Sequence, residues 1–66
     1  MSNMVVDSYF GRFFFCKKCR RWTWHDRVIR IGKRDVWDLR LFACMECRTV
    51  VDWHGREVDL SEVTKE

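Results

Sequence analysis

Four cysteines stand in two C-x-x-C pairs, Cys16-Lys17-Lys18-Cys19 and Cys44-Met45-Glu46-Cys47, with 24 residues between them. Each C-x-x-C turn directs two sulfurs at one point, and two such turns supply the corners of a tetrahedron. Tetrahedral thiolate coordination suits zinc, which has no ligand-field preference and bonds sulfur at about 2.3 Å. The spacing predicts one structural Zn2+ on Cys16, Cys19, Cys44 and Cys47, with no cysteine left over. Four thiolates close the shell. A catalytic zinc site needs an open position and a general base, so no enzyme is expected. Two disulfides would need an oxidising compartment. A thioredoxin-like pair needs one C-x-x-C in a βαβ context, which is not seen. No Ser/His/Asp set, paired-carboxylate site or Gly-rich phosphate loop can be assembled from the remaining residues. His25 and His54 are surplus to the shell and read as turn or surface histidines.

The elements that must position these thiols are short. A chain of 66 residues buries only about 60% of its unfolded surface. At this size apolar burial roughly balances ordering entropy, so a metal staple is physically apt. One domain over residues 1–66 is expected, with its core at about 9–60 and flexible ends at 1–8 and 61–66. No apolar run approaches the roughly 20 residues that span a bilayer. Nor does the N-terminus show a basic stretch followed by an apolar one, as an export signal would. An intracellular protein with no membrane partner is expected.

Aromatic and β-branched residues recur mostly with period two, which favours strands. Tyr9 to Phe15 leads into Cys16, and Trp22 and Trp24 alternate with Arg21, Thr23 and His25. The apolar phase then flips to Ile29 and Ile31, which places a bulge or turn near His25–Arg27. Gly32-Lys33-Arg34-Asp35 reads as a hairpin turn, and Trp37, Leu39, Leu41 and Ala43 as one face of a strand. Thr49, Val51 and Trp53 continue the alternation, His54-Gly55 turns, and Val58 and Leu60 close the sheet. The fold class is a small metal-stapled β domain of three to five short antiparallel strands with no long helix.

Two C-x-x-C knuckles, a hairpin between them and a strand after the second resemble the zinc-ribbon family over roughly residues 13 to 53. That resemblance implies a three-stranded antiparallel sheet with zinc at one end. It also implies contact with nucleic acid or polymerase, since many such ribbons occur in transcription, translation and replication proteins. Family knuckles often read C-P-x-C-G, where this chain has C-K-K-C-R and C-M-E-C-R. Ribbons that assist catalysis carry an acidic pair at the hairpin tip; here the tip is Lys33-Arg34-Asp35. Four thiolates also resemble the one-iron site of rubredoxins, whose knuckles usually carry Pro and Gly.

The net charge of +3 hides a strong polarity. Residues 1–34 hold nine basic and two acidic side chains, whereas residues 35–66 hold four and eight. Lys17, Lys18, Arg20, Arg21, Arg27, Arg30, Lys33 and Arg34 lie within nineteen residues, opposed by Asp26 alone. Neutralisation of a tetrathiolate centre of charge −2 accounts for two of them, and a solvated basic face for others. Clustered cations otherwise track phosphates. Nine of the thirteen are arginine, which forks phosphates and stacks on rings. Trp22 and Trp24 interleave with these cations, as in single-strand binders. Trp37 and Trp53, in phase with Leu39, Leu41 and Val51, are expected in the core.

The predicted function is a non-catalytic module that binds nucleic acid or a nucleic-acid-processing complex through its first knuckle and hairpin. The rival is a protein-interaction module, such as a small virus-encoded inhibitor or adaptor. Tyr9, Phe10, Phe13, Phe14 and Phe15 alternate onto both faces of a thin sheet, and Val5 and Val6 extend that edge. One monomer cannot bury them all, and surplus aromatic surface marks a partner site or a homodimer.

Overall fold

The computed structural model describes residues 4–63. Five antiparallel strands form a single sheet: β1 (Met4–Cys16), β2 (Arg21–Ile31), β3 (Arg34–Asp35), β4 (Phe42–Cys44) and β5 (Val50–Val51). Their order is β1-β2-β4-β5, with β3 paired to the far end of β2. One 3-10 turn (Trp37–Leu39) and one helical turn, α1 (Leu60–Val63), complete the fold. Each knuckle is a turn between neighbouring strands, the first joining β1 to β2 and the second β4 to β5. The sheet topology thus brings the two cysteine pairs to one end.

The expected hairpin turn lies at Gly32-Lys33, where Ile31 pairs with Arg34 and Gly32 takes a φ of 61°. The irregularity foreseen near His25–Arg27 is present, but its extra residues belong to the other strand. Asp7 pairs with Arg27 and Arg12 with His25, so residues 8–11 bulge out of β1 opposite Asp26 alone. A second shift, between Val5 and Val6, leaves Ile29 as the extra residue of β2. β1 begins at Met4, paired with Ile31, so residues 4–8 belong to the sheet; residues 1–3 and 64–66 of the expected flexible ends lie outside the described residues.

Both faces of the sheet carry core. Toward one face Phe14 packs with Phe42 and Val51, beside Thr23 and His25. Toward the other, Val28, Ala43 and Val50 join Ile31, Val36 and Leu41, with Met4, Val6, Val58 and Val63 packed against them.

Four sequence expectations are corrected here. Trp37 and Leu39 are not in a strand: the Asp35 carboxylate accepts the Trp37 N–H at 3.1 Å and starts a 3-10 turn, which Arg40 ends in the left-handed region. Val58 and Leu60 do not form a closing strand. Past the bridge between Val51 and Glu57, the Asp59 carboxylate accepts the Ser61 N–H and hydroxyl and begins α1. His25 is wholly buried in β2 rather than in a turn. Trp37 and Trp53 are 41% and 47% exposed, outside both cores.

Candidate metal centre

The two knuckles repeat one local geometry. The Arg20 N–H donates to the Cys16 carbonyl at 2.7 Å, and the Arg48 N–H to the Cys44 carbonyl at 2.9 Å. Arg20 and Arg48 hold φ of 56° and 63°, a region that favours glycine. These are the positions where zinc-ribbon knuckles often have Gly. The backbone therefore makes the same turn with arginine.

The four Sγ atoms all lie within 4.8 Å of one another. Cys16 and Cys47 are 3.3 Å apart and Cys19 and Cys44 3.9 Å. Sulfurs at the corners of a tetrahedron with 2.3 Å bonds stand about 3.8 Å apart. The donor set fits one metal ion, and a single zinc is compatible with it. Cys16 and Cys44 are buried, while Cys19 and Cys47 are partly exposed.

Donors around the sulfurs are unequal. Burial opposes ionisation of Cys44, but the Thr23 hydroxyl, at 3.1 Å, and the N–H groups of Cys47 and Glu46 outweigh it and lower its pKa. Burial likewise opposes ionisation of Cys47. The Thr49 hydroxyl, also at 3.1 Å, and the Thr49 N–H bring it down to about 6. Burial and the neighbouring thiols push Cys19 up to about 12. Cys16 is also raised, chiefly by burial, despite N–H donation from Cys19 and Lys18. The second knuckle is thus pre-set for thiolate and the first is not. Sequence reading missed Thr23 and Thr49. A polar residue two positions past Cys47 was the available sign for Thr49; none pointed to Thr23.

The cations divide between the two ends of a molecule 33 Å long. Lys17, Lys18, Arg20 and Arg21 surround the first knuckle, all four exposed, with Arg21 ion-paired to Glu46 of the second knuckle. Arg30, Lys33 and Arg34 lie at the hairpin tip, where Arg30 faces Asp35 across the strands and Arg34 donates to the Val63 carbonyl. Arg27 is engaged within the fold: it stacks over Trp37 at 4.2 Å and donates to the Trp37 carbonyl at 2.7 Å.

Phe14 and Phe42 are the buried rings, and two groups of aromatics are exposed. Phe13 pairs with Trp24 and Phe15 with Trp22 across β1 and β2, with ring centroids 5.0 and 6.1 Å apart. Phe13, Phe15 and Trp22 are 61%, 48% and 67% exposed. At the β1 bulge, Tyr9 packs on Phe10 and Phe10 on Trp37. Phe14 alone of the aromatic run is buried. Among the described residues no helix is long and apolar enough to cross a membrane.

No protein family, curated protein or solved structure matches this chain. The geometry is that of a small metal-binding β fold, and four clustered thiols on antiparallel strands are compatible with a zinc ribbon.

Proposed function

We propose that the four cysteines hold one Zn2+ as a structural staple, and that the metal end binds nucleic acid or an assembly that processes it. The observation that carries this reading is a hydrogen-bonded turn whose Lys17, Lys18 and Arg20 make no ion pair among the described residues. Cations presented on a rigid turn can match phosphate spacing without first being ordered. Arg30, Lys33 and Arg34 supply a second basic group about 30 Å away along β2. The role is non-catalytic, because four thiolates leave the metal no open position. An intracellular setting suits reduced thiols.

Titration with oligonucleotides at about 20 mM and about 200 mM salt, followed by tryptophan fluorescence, tests the reading. Binding is expected to weaken steeply with salt. Alanine at Lys17, Lys18 and Arg20 together should reduce the salt slope by about three. No binding at the lower salt would sink the proposal. A protein partner is the second reading, favoured by the cluster of Tyr9, Phe10 and Trp37, where Tyr9 is 85% exposed.

A further inference from the structure

The paired rings on β1 and β2 lie on the side of the sheet that faces away from Thr23 and His25. In β2 the alternation runs Trp22, Thr23, Trp24, His25, and it is Thr23 and His25 that are inside, at 3% and 0% exposure. The Trp22 side carries Phe13, Phe15 and Trp24 as directly opposed cross-strand partners. In both pairs the rings meet edge to face, at 80° and 75°, so flat ring surface remains for another planar group. Gly11 keeps the ladder in place. A Cβ there would come within 2.7 Å of the Trp24 ring.

What covers this surface can be argued from charge. The ladder ends at the first knuckle: Phe15 is followed within two residues by Lys17, and Trp22 is preceded within two by Arg20, both exposed and without an ion pair among the described residues. A planar, π-faced platform beside fixed cations matches a planar, π-faced ligand on an anionic backbone. Duplex bases are already stacked on each other and offer no free face. We infer that Phe13, Phe15 and Trp22, supported by the partly buried Trp24, form a stacking platform for unpaired bases, so that the ligand is single-stranded nucleic acid. Phe13 and Phe15, both exposed and two residues apart on one strand, offer two stacking positions about 7 Å apart, with Trp22 beside Phe15, while the partly buried Trp24 supports Phe13 from below. This inference rests on the nucleic-acid reading above and narrows it.

The test compares thymidine and uridine oligonucleotides of about ten residues with a duplex of equal length, all on the zinc-loaded protein. Single strands should bind more tightly than the duplex. Trp22→Ala and Phe13→Ala should each weaken single-strand binding roughly 5- to 150-fold. Trp22→Phe should restore most of it, since stacking tolerates any aromatic face, and Tyr9→Ala should change nothing. Zinc content of each variant checks that it folds. Binding of either oligonucleotide with this dependence supports the platform. Equal affinity for duplex, or full single-strand binding by both Trp22→Ala and Phe13→Ala, overturns it while leaving the cationic reading intact. The ladder would then serve a protein or a second copy of the chain. No oligonucleotide binding at all defeats both.

Discussion

Thr23 shows how one buried hydroxyl can govern a metal site. It lies between two tryptophans, yet it points inward and reaches the Cys44 sulfur at 3.1 Å. Thr23→Val keeps the shape and removes the donor. Groups that hydrogen-bond to metal ligands typically contribute 10- to 100-fold in affinity. Competition against a chromophoric chelator should therefore show zinc held about tenfold more weakly, with the fold retained. Unchanged affinity would mean that the hydroxyl does not support the thiolate. Arg48 presents the opposite case, a residue whose backbone works against it. Its φ of 63° costs a side-chain-bearing residue about 1 kcal/mol relative to glycine. Arg48→Gly should raise the melting temperature of the zinc-loaded protein by several degrees. A lower melting temperature would show that the side chain contributes more than the backbone loses.

At the scale of elements, the β1 bulge depends on Gly11. A Cβ at this position would stand 2.3 Å from the His25 carbonyl oxygen, which is part of β2 and cannot swing aside. Gly11→Ala should lower stability by about 2 kcal/mol, the usual cost of overpacking. The midpoint of urea unfolding would report it. An unshifted midpoint would mean that the bulge re-forms around the methyl group. The same strands show what was legible in the sequence. The knuckles and the Gly32-Lys33 turn are encoded locally, by residue types a few positions apart, and spacing alone identifies them. The alternation from Arg21 to His25 was equally visible, but period two separates two sets of residues without saying which is inside. Here the thiols and Phe14 draw Thr23 and His25 inward, a tertiary outcome that no local pattern encodes. The strand foreseen at 37–43 forms only from Phe42, and the one foreseen at 58–60 does not form, for another reason. Asp35 and Asp59 each accept an N–H two residues ahead, and these side-chain turns override a weak alternation.

Over the whole molecule, the proposed metal staple at the knuckles adds to an apolar cluster that runs from Ile31 and Val36 near the hairpin to Ala43 and Val50. Thiols in an unfolded chain ionise near 8.5, whereas metal-bound ones stay thiolate far below that. Their folded-state pKa is thus depressed. The stability that the metal confers is present above the unfolded value and is lost as pH falls, by up to about 1.4 kcal/mol per thiol and pH unit. Zinc release, followed between about pH 7 and 5, should depend on more than one proton. A single-proton slope would mean that fewer thiols bind than the geometry brings together. Chelation at neutral pH should abolish cooperative thermal unfolding. An unaltered transition after complete metal removal would refute the staple. Metal uptake also lowers the net charge from +3 to about +1. Attraction to an anionic partner then depends on where the cations sit rather than on their surplus.

Met4 and Val63, the first and last described residues, pack against the same apolar cluster around Val28 and Ile31, at the hairpin end. A probe attached at either of these two residues therefore sits at the hairpin end of the molecule. A fluorophore, a surface linker or a neighbouring domain placed there would leave the knuckles and the aromatic ladder pointing outward. Tethered through either residue, the protein would present its metal end outward.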